Sequence, residues 1–317
     1  MTVVLLGHTG FVGRSVAEVL TENGVTYIPT ARREGVDLRD SNQATVFFEK
    51  AQPDFIINCA AHVGSLNYVT QQAADVILDN SRMILSMYEA IAQTCPQAIV
   101  INPIANCAYP AQTETFSEED WWNGHLHRSV LAYGATRRLM WAVGESFQMQ
   151  HGIRSISLLV PNMYGPFDST DPNKAHALNA LISKFVKAQQ TNQKEIEVWG
   201  TGAAIREWLY ARDFGRVVLE IMRDPNRLGL AEPLNIAQEF GLSVRELVAV
   251  IKSAFNYKGD IQWDETKPDG APRKVMDDRR FRKVFPDFEF TSLLEGRSEE
   301  HTSELQSPCN LVCRLLL

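Results

Sequence analysis

Residues 3–13 read VVLLGHTGFVG, and this stretch decides the fold. Val3, Val4, Leu5 and Leu6 form an apolar run with no polar break, the pattern of a strand covered on both faces. Gly7, Gly10 and Gly13 follow at GxxGxxG spacing. Residues 15–22 then set Val16, Val19 and Leu20 on one helical face, and Gly24 supplies a stop. A glycine turn between a first strand and a first helix lets backbone approach a pyrophosphate. The helix start adds unpaired N–H groups and the positive end of a dipole. The candidate phosphate cradle is therefore Gly7, Thr9, Gly10, Phe11, Val12 and Gly13.

Working outward, 25–29, 54–59, 97–102 and 155–160 predict strands. Residues 41–50, with Ser41 as cap, 73–93 and 129–149 predict helices. Strands alternating with helices imply parallel strands joined by right-handed crossovers, hence an α/β doubly wound sheet of Rossmann type. Where the second strand ends, an acid would bind a ribose diol. This chain has Thr30-Ala31-Arg32-Arg33. Two guanidinium groups suit a 2′-phosphate, so NADP is expected as cofactor. Glu34 and Asp37 close by keep NAD open.

After Pro161 the pattern loosens. A helix is expected at about 175–190, a strand at 195–199, and a helix at 243–255 with Ser243 and Glu246 at capping-box spacing. The division expected is a cofactor domain at 1–161, to which 207–238 returns, and a smaller interleaved α/β substrate lobe at 162–296. Residues 297–317 back-translate to a sequencing adaptor in its own order. They are read as a non-native tail, so Cys309 and Cys313 carry no functional weight.

The 317 residues carry 31 Lys and Arg against 38 Asp and Glu, a net charge of −7 that argues against a general nucleic-acid binder. A hydrophobic content of 45% with 22% charged residues excludes long disorder and collagen-like repeats. No apolar run reaches transmembrane length and no charged leader precedes an apolar segment, so no membrane partner is expected. Cys59, Cys95 and Cys107 form no CxxC pair, which suits reduced thiols in the cytoplasm. The seven histidines lack metal-ligand spacing, so no metal is expected, and His125 and His127 read as loop residues.

The glycine loop, Ala60-Ala61 after the third strand, and Tyr133 resemble the extended short-chain dehydrogenase/reductases, the NAD-dependent epimerase/dehydratase family. Further motifs resemble its GDP-L-fucose synthase branch across about 3–294. These are Asn162-Met163-Tyr164-Gly165-Pro166, His176, Trp199-Gly200-Thr201-Gly202 with Arg206-Glu207, and Lys267-Pro268-Asp269-Gly270 with Arg273-Lys274 and Asp277.

The resemblance implies C3/C5 epimerisation of a 4-keto-6-deoxy nucleotide sugar through an enolate, then NADPH-dependent reduction at C4 with Tyr133 giving the proton. Cys107 (in Ala105-Asn106-Cys107-Ala108-Tyr109-Pro110) and His176 match the proton-exchanging pair. Read without it, Cys107 is a small buried side chain, His176 a surface residue, and Trp199 as much a core residue as a binding face. Ala60, Ala61, Arg137, Asn162 and Met163 are implied to join the cofactor site. Lys184, Trp199, Arg206 and Asp269 are implied to line the nucleotide-sugar pocket, with Arg206 on the diphosphate. The helices at 73–93 and 129–149 are implied to form a homodimer.

Three positions depart from the family pattern. The Tyr-x-x-x-Lys pair is Tyr133 and Arg137, the usual serine is Ala105, and a usual lysine is His62. Arg137 keeps the charge and can favour a tyrosinate, but its planar fork differs from an ammonium. Ala105 offers no hydroxyl to the 4-oxygen, which leaves Asn106 to replace it. The alternatives are an epimerase on another hexose or heptose with little net reduction, or a non-catalytic nucleotide-sugar or NADP-binding homologue.

Overall fold

The computed structural model describes residues 1–113, 116–169, 171, 174–228, 232–267, 269 and 271–291. The 297–317 tail, and Pro268 and Gly270 of the Lys-Pro-Asp-Gly motif, lie outside the described residues. The first half runs β1 (Val3–Leu6), α1 (Phe11–Glu22), β2 (Ile28–Thr30), α2 (Ser41–Ala51), β3 (Phe55–Asn58), α3 (Leu66–Gln71), α4 (Ala73–Thr94), β4 (Ile99–Ala105), α5 (Leu131–His151) and β5 (Ser155–Val160). The second runs β6 (Asn162–Tyr164), α6 (Ala177–Gln190), β7 (Glu195–Trp199), β8 (Ile205–Arg206), β9 (Trp208–Tyr210), α7 (Ala211–Arg223), β10 (Leu234–Asn235), β11 (Leu242–Ser243), α8 (Val244–Ala254), β12 (Asp260–Asp264), β13 (Arg273–Lys274) and α9 (Arg279–Val284).

Six strands form one parallel sheet in the order β10-β5-β4-β3-β1-β2. This is the doubly wound sheet that the alternating pattern predicts. Val4 and Leu6 of β1 face a core with Phe48, Ile56, Tyr88 and Met140, contributed largely by α2, α4 and α5. Val3 and Leu5 face the opposite core with Val16, Leu20, Phe214, Val218 and Phe281, from α1, α7 and α9. Successive side chains of a strand alternate faces, so a strand covered on both sides admits no polar residue. A third apolar cluster, with Ile182, Phe185, Val198, Leu247 and Ile251, holds α6, α8 and the β7–β12 pair.

The expected elements recur with shifted ends. The second strand begins at Ile28 rather than residue 25. Helix α2 is capped by Asp40, whose carboxylate accepts from the Asn42 and Gln43 N–H groups, not by Ser41. The Ser243–Glu246 capping box is present. Among the described residues no helix is long and apolar enough to cross a membrane.

The sheet turns its order at β1 between β2 and β3, which places the mouth for a ligand at the carboxyl ends of these strands.

Candidate active site

Gly7 ends β1 at φ +71°, and its N–H donates to the Thr30 carbonyl at 2.7 Å, tying the ends of β1 and β2 together. A Cβ on Gly7 would stand 2.7 Å from the Cys59 carbonyl oxygen, and one on Gly13 2.2 Å from that of Gly7. Only glycine fits at either place. Gly10 precedes α1 and brings no side-chain cap, so the first-turn N–H groups of α1 are left for a ligand.

Beside this turn lies a cavity of about 340 Å³ lined by Gly7, Thr9, Gly10, Arg32, Ala60 and Ala61. A cradle that any Cβ would fill, opening into such a cavity, fits a dinucleotide. Asp37 and His62, both noted in the sequence, line it too, and Arg39, Asp79 and Met83 are lining residues that the sequence reading missed. The other cofactor candidates stand outside the lining. Gly13 and Val12 pack beneath the turn, and the Phe11 ring lies 5.7 Å from that of His176. Arg33 is exposed, Met163 packs on the α1 side of the sheet, and Asn162 Nδ2 donates to the Glu207 carbonyl at 3.2 Å.

The charges on the cavity wall are largely matched. Arg39 bridges Asp37 and Asp79, and the Arg39 hydrogen bond holds the Asp37 carboxyl below its ordinary range. Asp79 also accepts from His62 Nδ1 at 2.9 Å, while Nε2 of that ring meets the Tyr68 hydroxyl at 2.8 Å. Glu34 turns to His8 at 3.2 Å. Arg32 alone among the cavity's arginines makes no ion pair within the described residues.

Tyr133, Arg137 and Cys107 come together where α5 crosses the turn after β4. A Cβ on Gly134 would stand 2.7 Å from the Cys107 carbonyl oxygen, so a glycine beside Tyr133 is what lets α5 approach. Burial pushes the Tyr133 phenol up, and the Arg137 charge draws it partly back. Burial likewise pushes the Cys107 thiol up to about 11, against the pull of Lys274 and then Arg137. Lys274, on β13 beside Arg206 of β8, is a member that sequence reasoning named only within a motif. Arg137 is buried, and its Nη2 donates to Asn80 Oδ1 at 3.0 Å. Asn80 in turn accepts from the His62 N–H and donates to the His62 carbonyl. Ala105 closes β4, and the next residue, Asn106, is buried with no partner for Nδ2 among the described residues.

His176 Nδ1 lies 2.8 Å from Asp168 and makes no hydrogen bond or ion pair with Cys107. Trp199 is exposed on one face, with the Lys184 and Lys267 ammonium groups 5.7 and 5.6 Å from its ring centre. Arg206 gives its terminal nitrogens to the Ile205, Ala271 and Asp269 carbonyls. The Asp269 carboxylate is taken up by the Thr201 N–H and hydroxyl, closing the turn that contains Gly200. Among the described residues no group of three or more His, Cys, Asp or Glu side chains could hold a metal.

The chain is similar to known proteins in sequence and in fold. The chain is 28% identical to a probable GDP-L-fucose synthase 1 of Oryza sativa subsp. japonica, over 89% of this chain and 85% of that one. It is 27% identical to the GDP-L-fucose synthase of Escherichia coli (strain K12), over 89% and 90%. A GDP-L-fucose synthetase from Naegleria fowleri solved bound to NADP superposes with a TM-score of 0.78 at 26% identity, over 92% of this chain and 88% of that one. The profile of the NAD dependent epimerase/dehydratase family matches residues 3–237, well over half of the sequence. The chain belongs to that family.

Proposed function

We propose that the chain is an NADP-dependent epimerase/reductase of a GDP-linked 4-keto-6-deoxy sugar. The observation that carries this reading is the meeting of Tyr133, Arg137 and Cys107 where α5 packs on the turn after β4, with Lys274 near enough to draw the Cys107 thiol down. The cavity behind the glycine turn opens at the carboxyl ends of the same sheet.

Gly7, Thr9 and Gly10, with the first turn of α1, hold the pyrophosphate. Arg32 takes the 2′-phosphate, since Glu34 and Asp37 are engaged with His8 and Arg39. Ala60 and Ala61 wall the nucleotide, while Phe11, Val12, Gly13, Asn162 and Met163 shape the loops around it. When bound, the reduced nicotinamide supplies a hydride to C4. The chain's own residues do the proton work. Cys107 and His176 exchange the acidic C3 and C5 protons, and in the free chain Cys107 begins as the thiol, a donor. Tyr133 gives the proton to the C4 oxygen. Asn106 Nδ2, buried and unpaired, supplies the polarising hydrogen bond that Ala105 lacks. Trp199 stacks the base between Lys184 and Lys267, and Arg206 faces the diphosphate. Asp269 serves by holding the Gly200 turn.

In this reading 1–161 with 207–238 form the cofactor unit and 162–296 the substrate lobe. A homodimer is supported by exposed Ile77, Leu78 and Leu85 on α4 and Leu131 on α5. Free Cys59, Cys95 and Cys107 support a cytoplasmic location.

The test is GDP-4-keto-6-deoxymannose in heavy water with NADPH. Deuterium uptake at C3 and C5 with NADPH oxidation is the expected result. Uptake without oxidation leaves an epimerase, and ligand binding with neither leaves a binding protein.

A further inference from the structure

We propose that Asp168 is the positioning residue for His176: its carboxylate fixes the imidazole with the proton on Nδ1 and so presents Nε2 to the sugar. The claim deepens the proposed proton exchange, and its activity arm rests on that reading.

Four observations carry it. The Asp168 side chain is 3% exposed against 40% for His176, so a buried acceptor holds a ring that remains open to ligand. His176 Nδ1 lies 2.8 Å from Asp168 Oδ1, which also accepts from the Ser169 N–H at 2.8 Å, and Oδ2 accepts from the His176 backbone N–H at 3.3 Å. A carboxylate can only accept, so the nitrogen facing it, Nδ1, carries the proton. Nε2 makes no hydrogen bond among the described residues, and the ring lies 5.7 Å from that of Phe11 at the start of α1.

The preceding residue explains how the carboxylate is aimed. Phe167 adopts φ +73°, a conformation that L side chains rarely take. The Arg14 guanidinium, one turn into α1, lies 4.1 Å over its ring. The strain turns Asp168 inward, and the stack offsets part of its cost. The first turn of α1 therefore touches the imidazole through Phe11 and the segment that aims it through Arg14.

Asp168→Ala removes the acceptor that holds the imidazole Nδ1. The expected result is a fall of roughly 10²-fold in the deuterium-uptake rate. NADPH affinity and KM should stay within about twofold. The ring itself is read by 15N NMR of histidine-labelled full chain at mildly alkaline pH, with His176→Gln assigning the signal. The unsubstituted chain should show protonated Nδ1 and lone-pair Nε2, and Asp168→Ala, which leaves Nδ1 with no acceptor, should shift the proton to Nε2. A ring protonated on Nε2 in the unsubstituted chain overturns the proposal. So does a variant that loses uptake only in proportion to lost folding and ligand binding. If the unsubstituted chain takes up no deuterium, the proposed reaction fails, and the nitrogen signals still decide the role of Asp168.

Discussion

The Arg137 guanidinium carbon lies 4.8 Å from the centre of the Tyr133 ring. The cation thus covers the face of the ring rather than standing beyond its hydroxyl, and Asn80 keeps it there by accepting from Nη2. A lysine has one compact charge to place, whereas the arginine fork satisfies the ring and the amide together, although its Nε is left without a partner.

That arrangement keeps the electrostatic duty of the usual lysine. The Arg137 charge draws the phenol down against burial, so Arg137→Met should raise the pH at which Tyr133 ionises, read from tyrosinate absorbance. NADPH oxidation should fall by roughly 10²-fold. Tyr133→Phe should abolish oxidation and spare C3/C5 exchange. Oxidation that persists in that variant removes Tyr133 as the proton donor.

The Cys107 thiol, pushed up to about 11 by burial, should react slowly with iodoacetamide at neutral pH and faster as the pH climbs towards that value. Lys274 is the larger of the two charges drawing it down, so Lys274→Gln should move the reactivity profile to higher pH. Peptide mass spectrometry separates this thiol from buried Cys95. A profile that does not move would place Lys274 outside the thiol's field.

Arg32 and Arg33 are adjacent in sequence and unequal in place, since only Arg32 lines the cavity. Arg32→Ala should weaken NADPH binding by about 10- to 100-fold, the worth of a charged hydrogen-bond partner, and barely alter NADH binding. Arg33→Ala should change both little. Equal losses for NADPH and NADH in the Arg32 variant would remove the 2′-phosphate contact.

Glu207 is fully buried, and its two carboxyl oxygens accept from the Gln238 and Met276 N–H groups. Burial raises its carboxyl to about 7 from an ordinary 4.5. Between those values the folded chain keeps a proton that the unfolded chain has released. The stability from this group is complete below about 4.5 and is lost as pH rises through about 7. The full loss is at most roughly 3 kcal/mol. The fall in Tm from pH 5 to 7.5 should therefore be shallower in Glu207→Gln, whatever the offset between the two curves. Parallel curves would contradict the shift.

The glycine turn and the central strand were legible because their constraints are local. Burial on both faces leaves no polar residue in Val3–Leu6, and close backbone leaves no Cβ at Gly7 or Gly13. What escaped is built across the chain. Arg39, His62 and Asp79 meet only once α4 lies against the turn after β2, and Asn80 joins His62 to Arg137 in the same way. Asp40 takes the cap of α2 from Ser41, a choice between two adjacent cap-forming side chains that spacing does not separate. Asp269 is implied by its motif to line the sugar pocket, whereas its carboxylate is held by the Thr201 turn.

The last strand of the main sheet, β10, reaches β5 only after the chain has left to build β6 through β9. A ribosome that has delivered everything up to β5 has therefore made a sheet with β5 as an edge, as β2 is at the other end, its outer N–H and C=O groups unpaired. Part of the β5 edge, at Leu158 and Leu159, is covered when residues 234–235 emerge and pair with it. Fragments stopped before them should be sticky rather than half-functional, and a chaperone holding the nascent chain would have most to shield along β5.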